Sequence, residues 1–125
     1  MADILIIDDD RQIRRLLTRI LTGAGHTVRE AENGRDGVEA FARQRADMVI
    51  TDIVMPDMEG LETILSLRRE NPTLPIIAIS GDTDPVYLRA AGSLGATGSL
   101  RKPFSPNSLR ELVEAMLGKI AKACD

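Results

Sequence analysis

The sequence predicts an open α/β fold, a parallel sheet with helices on both faces, on three observations. Short apolar runs and amphipathic stretches alternate strictly along the chain. The apolar runs are short and rich in β-branched residues, which favours strands over helices. Most of these runs end on polar side chains: Asp8 and Asp9, Asp52, Ser80 and Lys102. In an open parallel sheet the carboxyl ends of the strands line a crevice where ligands bind.

The elements follow in order. Apolar runs lie near residues 3–8, 27–31, 47–52, 75–80 and 97–101. The first helical stripe is Ile13, Leu16, Leu17, Ile20 and Leu21, closed by Gly23 and Gly25. The second starts near Gly34, with Val38, Phe41 and Ala42 on one face. The third carries Leu61, Ile64 and Leu65, continues to Arg68 and stops before Pro72. The fourth opens at Asp84-Pro85 and the fifth at Ser105-Pro106, each an N-cap followed by proline in the first turn. The last stripe is Leu109, Leu112, Val113, Met116, Leu117 and Ile120. Five βα units with right-handed crossovers place helices on both sheet faces. Residues 1–125 are expected to form one domain, with no repeat, linker or low-complexity tract.

Composition narrows the function. Charged residues make up 28% and apolar ones 43%, a globular balance. Sixteen basic and nineteen acidic side chains are scattered, so no basic face points to nucleic acid. The single cysteine, Cys124, has no partner for a disulfide or a metal cluster. No apolar run reaches the ~18 residues of a membrane span, and the N-terminus lacks the basic start of a signal peptide. A cytoplasmic setting is expected.

The strand-end residues suggest the chemistry. Three carboxylates close together repel; at an effective dielectric of ~20, two unit charges ~4 Å apart interact by about 4 kcal/mol. A raised pKa or a bound cation can offset this. All-oxygen ligands suit Mg²⁺, which also takes phosphate as a ligand. Asp10 is expected to cap the first helix, a role that requires neither Asp8 nor an acid on another strand. Asp52 is the candidate nucleophile, because a metal-bound carboxylate can attack a phosphoryl donor and form an acyl phosphate. Lys102 offers a point cation and Ser80 a hydroxyl to the phosphoryl oxygens. A cis Lys102–Pro103 bond would turn the Lys102 side chain back over the crevice; otherwise Pro103 merely ends the strand. The sole histidine, His26, lies at the start of its strand, away from the crevice, and reads as a surface loop residue.

The pieces IIDDD, TDIVMPDMEG, IIAIS and SLRKPF, in that order and spacing, resemble the receiver domain of bacterial two-component response regulators. The resemblance covers essentially the whole chain. It implies a doubly wound, flavodoxin-like sheet of five parallel strands in the order 2-1-3-4-5, with five helices. It implies Asp52 as phosphoacceptor, Asp8, Asp9 and Asp52 as Mg²⁺ acids completed by the backbone carbonyl of Val54, and Ser80 and Lys102 as the groups that grip the phosphoryl oxygens. It implies a phosphoprotein that takes phosphate from a sensor histidine kinase or histidine phosphotransfer protein. Such a switch catalyses only its own phosphorylation and dephosphorylation and signals to a partner through the fourth helix, fifth strand and fifth helix.

The sequence departs from the family pattern three residues before the lysine, where Ser99 stands in place of the usual aromatic residue. Switching is then expected to use backbone shifts around Ser80 to Thr83 and the fourth helix, or to be weak. Tyr87, the only tyrosine, is expected at the surface or against a partner. Val54 and Asp82, two residues beyond Asp52 and Ser80, flank the pocket in the family; Val54 has no polar atom to orient water, so slow hydrolysis is expected. Other readings are a phosphorelay shuttle, the receiver segment of a longer DNA-binding regulator, or a small Mg²⁺-dependent phosphatase. Against the last, Val54 occupies the place where such enzymes carry a general acid. No phosphate-binding glycine motif is present for a nucleotide-binding protein.

Overall fold

The computed structural model describes residues 2–53, 59–81 and 85–124. The elements are β1 (Asp3–Ile7), α1 (Arg11–Gly23), β2 (Thr27–Ala31), α2 (Gly34–Arg43), β3 (Met48–Asp52), α3 (Glu59–Glu70), β4 (Ile76–Ser80), α4 (Pro85–Leu94), β5 (Gly98–Arg101) and α5 (Pro106–Cys124). All strand pairs are parallel and the order is β2-β1-β3-β4-β5. The chain runs outward from β1 to β2, then crosses back to β3 on the other side. The order therefore reverses between β1 and β3, and a ligand crevice belongs at that point.

The three central strands explain the unbroken apolar runs. A strand covered on both faces has no solvent side, so its residues need not alternate. From Ile4 to Ile7, Met48 to Ile50 and Ile76 to Ile79, every side chain is fully buried. Alternate residues feed two cores. Leu5, Ile7, Val49, Ile76 and Ala78 face Phe41 of α2, Leu61, Ile64 and Leu67 of α3 and Ala91 of α4. Ile4, Ile6, Met48, Ile50, Ile77 and Ile79 face Leu17, Ile20 and Leu21 of α1 and Leu109, Val113 and Met116 of α5. Each large apolar side chain among them contributes about 1.5–3 kcal/mol of burial, so the sheet is a rigid platform for whatever its ends carry.

Helix ends follow their caps. Asp10 Oδ1 accepts from the N–H groups of Gln12 and Ile13, as anticipated. Asn33 caps α2 through the Asp36 N–H, and Ser105 caps α5 through the Ser108 N–H. The Asp84 cap expected for α4 lies outside the described residues.

Three helix faces differ from the sequence reading. Leu16 is 40% exposed; at ~100° per residue it falls at the margin of the arc centred on Leu17 and Leu21. Ala42 is exposed, and α2 instead turns Gly34, Gly37 and Phe41 inward. The buried arc of α3 is Gly60, Leu61, Thr63, Ile64 and Leu67, rotated away from the half-buried Leu65. That rotation follows from the glycine: Gly60 is packed so closely on the Asp52 and Ile53 backbone that a side chain there would collide with it.

Candidate phosphoryl and cation site

Asp8, Asp52, Ser80 and Lys102 stand at or one step beyond a strand end, and Asp9 one residue further on. Asp8 follows β1, and its N–H donates to the Ala31 carbonyl at 3.1 Å. Asp52 is the final residue of β3, and the next N–H, of Ile53, donates to Ile79 at 3.0 Å. Lys102 follows β5, and its N–H donates to the Ser80 carbonyl at 2.8 Å. The Lys102–Pro103 bond is cis.

The three expected acids and the Lys102 amine converge. One carboxylate oxygen from each of Asp8, Asp9 and Asp52 lies within 4.8 Å of the others. Lys102 Nζ donates to Asp52 Oδ2 at 2.9 Å and sits 3.5 Å from Asp8 Oδ2. Asp8 and Asp52 are buried while Asp9 is exposed, so the cluster opens to solvent on one side. Ser80 is fully buried at the end of β4, beside the Lys102 backbone. Val54 and Asp82 lie outside the described residues.

Electrostatics mark Asp8 as the strained member. Burial is the main cause that pushes its carboxyl up to about 6; the Asp52 and Asp9 charges add to this, while the Asp10 N–H and the Lys102 ammonium oppose it. Burial would lower Lys102, but the hydrogen bond and charge of Asp52 and the charge of Asp8 outweigh it and raise the ammonium above its ordinary value. Asp8 Oδ1 accepts the Asp10 N–H at 2.9 Å, whereas the buried Oδ2 accepts no hydrogen bond from the described residues. Among the described residues, one ammonium stands against this cluster of three carboxylates. An all-oxygen set with a spare buried lone pair fits a hard divalent cation.

Arg14 braces this arrangement, Arg68 braces the opposite end of the sheet, and neither role was legible in the sequence. Arg14 Nη1 donates to the Asp8 carbonyl at 2.6 Å, and Nε reaches Glu30 at 3.3 Å. Arg68 donates to the carbonyls of Gly95 and Asn71 and to the Thr97 hydroxyl, tying α3 to the start of β5. Their acceptors are mostly backbone carbonyls, which leave no mark in a sequence. His26 is more than a loop residue: its Nδ1 accepts the Ala2 N–H at 3.1 Å, ahead of β1. Tyr87 is half-buried against the α2–α3–α4 core, more enclosed than a surface contact. Ser99 is exposed on β5.

A doubly wound sheet with three acids and an amine gathered at the carboxyl ends of its strands defines a class, the open α/β modules that bind ligands at that edge. The comparisons narrow the class. Residues 4–114 match the family model described as response regulator receiver domain. The chain is 38% identical over 115 residues to the response regulator MprA of Mycolicibacterium vanbaalenii, covering 91% of this chain and 49% of that protein. It is 38% identical over 109 residues to the DNA-binding transcriptional regulator NtrC of Escherichia coli K12, covering 87% of this chain and 23% of that protein. A CheY-like receiver domain protein from Methanospirillum hungatei superposes with a TM-score of 0.92 at 27% identity, covering 98% of both chains. The chemotaxis protein CheY4 of Vibrio cholerae gives 0.86 at 32% identity, covering 93% of this chain and 98% of that one. The chain belongs to the response regulator receiver domain family, whose members are phosphorylation-dependent signalling switches rather than enzymes acting on separate substrates. It spans about half the length of the MprA relative and about a quarter of NtrC. Among the described residues no helix is long and apolar enough to cross a membrane.

Proposed function

We propose that Asp52 accepts a phosphoryl group from a histidine kinase or histidine phosphotransfer protein and that the phosphorylated form changes partner binding. The observation that carries this is the Lys102 ammonium 2.9 Å from Asp52 Oδ2, within a cluster of three carboxylates. An Asp52 oxygen attacks the phosphorus. The P–N bond to the donor imidazole breaks, its electron pair stays on the nitrogen, and that nitrogen takes a proton from water. Lys102 holds the new negative charge as a point cation, and the Ser80 hydroxyl donates to a phosphoryl oxygen.

Asp8, Asp9 and Asp52, with the Val54 carbonyl, are the residues that would hold Mg²⁺. When bound, the ion supplies positive charge to the transferring oxygens. Hydrolysis is slow, because Val54 offers no polar atom to orient water. The α4, β5 and α5 face carries the output to a partner protein in the cytoplasm, with no direct contact to nucleic acid.

A second reading is favoured by chain length: 49% coverage of MprA and 23% of NtrC fit the receiver segment of a longer, DNA-binding regulator. A phosphorelay shuttle would use the same chemistry with a second histidine as acceptor.

The test is mass spectrometry after incubation with Mg²⁺ and acetyl phosphate. The wild-type chain should gain one phosphoryl group and Asp52→Asn none. Phosphate on Asp52→Asn, or none on wild type, would refute the assignment.

A further inference from the structure

We propose that Arg14 is a positioning residue for the cation-binding acid Asp8, an inference that rests on the Mg²⁺ reading above. The β1–β2 register ends at Ile7↔Ala31. Beyond it the chain turns through Glu32 into Asn33, the cap of α2. In a longer parallel ladder the next strand N–H of β2 would approach the Asp8 carbonyl. Arg14 Nη1 reaches that carbonyl instead, at 2.6 Å from the first turns of α1.

The Asp8 residue is thus held at three points. Its N–H is fixed by Ala31, its C=O by Arg14 and its Oδ1 by the Asp10 N–H. Only Oδ2 remains, and it faces Lys102 and the other two acids. Arg14 is itself anchored. Its Nε meets Glu30 Oε1, and the Thr18 hydroxyl donates to Glu30 Oε2 at 3.0 Å. Arg14 is 13% exposed, so the guanidinium works in a partly dry setting. The loop from Asp8 to Asp10 is therefore tied to β2 by the Ala31 carbonyl and, through Glu30, by the Arg14 side chain, and the second tie fixes the Asp8 carbonyl and with it the direction of Oδ2. Groups that orient metal ligands without touching the metal typically change affinity ~10–100-fold when lost.

Charge gives the proposal a sharp sign. Removing a cation close to a Mg²⁺ site strengthens binding by Coulomb's law. Weaker binding in Arg14→Met, measured at pH 8 where Asp8 is ionised, therefore runs against the charge effect and reports lost orientation.

The experiment is Mg²⁺ titration of the unphosphorylated full chain by calorimetry, at a temperature where circular dichroism reports each variant folded. Arg14→Met is expected to bind at least ~10-fold more weakly than wild type. Arg14→Lys, which keeps a donor and the charge, is expected to recover most of the affinity. Arg15→Met, an exposed neighbour losing the same charge, is expected to bind no more weakly than wild type. Equal or tighter binding in Arg14→Met overturns the proposal while leaving the Mg²⁺ reading intact. No Mg²⁺ binding by wild type overturns both. Should Arg14→Met fail to fold, Arg14→Gln takes its place: its short amide cannot span to both Asp8 and Glu30, and wild-type affinity in that variant overturns the proposal.

Discussion

Lys102 and Asp52, 50 residues apart in the chain, form a hydrogen-bonded ion pair with Nζ 2.9 Å from Oδ2. The pair bridges the end of β3 and the end of β5, with β4 between them. Lys102 also lies 3.5 Å from Asp8 and so stands in the acid cluster as its resident cation. In the absence of Mg²⁺ it supplies the counter-charge that two buried carboxylates require.

Replacing Lys102 with methionine separates those two roles. Without metal, Asp8 and Asp52 lose their counter-charge, and Lys102→Met is expected to lose on the order of 2 kcal/mol of stability at pH 7. Urea unfolding in chelator reads this. With metal, a competing cation has gone, so Mg²⁺ should bind several-fold more tightly. Weaker Mg²⁺ binding in this variant would show that Lys102 helps to build the site rather than compete for it.

Asp8 gives a pH-dependent prediction. Its carboxyl sits at about 6 in the folded chain against an ordinary 3.8. A raised carboxyl holds its proton more tightly when folded. Its contribution is fully present below the ordinary value and is lost as pH rises through about 6. By pH 7 the charged form costs the metal-free fold roughly 3 kcal/mol. Asp8→Asn removes this cost and keeps an Oδ1 acceptor for the Asp10 N–H. The variant should exceed wild type by ~1–3 kcal/mol at pH 7 in chelator, with the gain vanishing near pH 4. Saturating Mg²⁺ should reverse the ranking, because only wild type retains the acid. Chemical denaturation at both pH values checks the sign.

Much of this arrangement was legible in the sequence because burial writes itself plainly. Central strands appear as unbroken apolar runs, and a charged residue that ends one is conspicuous, as Asp8 and Asp52 are; Lys102 follows the half-exposed edge strand β5 and is marked instead by Pro103 and the SLRKPF piece. Caps are equally local, so Asp10 and Ser105 read correctly. Helix margins were less clear. Leu16, Ala42 and Leu65 share an apolar character with the true inner arcs, and only the neighbouring helices decide which way each arc turns. Arg68 read merely as the tail of a stripe. Its function depends on the Gly95 carbonyl 27 residues later, which no periodicity encodes.

Arg68 should matter to α4. Its guanidinium makes two hydrogen bonds to the Gly95 carbonyl and one to Asn71, and shares Thr97 Oγ1 with the Ile76 N–H. Gly95 has φ +123°, a conformation open to glycine, so the turn after α4 relies on this clamp. Arg68→Met keeps the aliphatic stem and removes the donors. A loss of about 2 kcal/mol is expected from half-buried carbonyls left without their charged partner. Hydrogen exchange should accelerate first in α4 and the α4–β5 turn. Unchanged protection there would mean that the clamp is not what holds the helix end.

Gly60 and Gly92 make a paired test of how α3 meets the site. A Cβ on Gly60 would strike the Asp52 carbonyl oxygen and the Ile53 Cα, both backbone atoms at the end of β3. Neither can swing aside as a side-chain tip would. Gly60→Ala must therefore push α3 away or displace the peptide that follows Asp52, at an expected cost of about 1–3 kcal/mol. The second outcome also moves the carboxylate, so labelling by acetyl phosphate should slow more than stability alone accounts for. Gly92 lies exposed in α4 with nothing within 4 Å of its would-be Cβ. There alanine only restricts the unfolded chain and favours helix, and Gly92→Ala should gain about 0.4–1 kcal/mol without altering phosphorylation. Thermal unfolding and labelling kinetics of the two variants, measured side by side, separate helix propensity from contact with the site. If Gly60→Ala matched Gly92→Ala in both readouts, the close approach of α3 to the Asp52 backbone would not be a constraint on the chemistry.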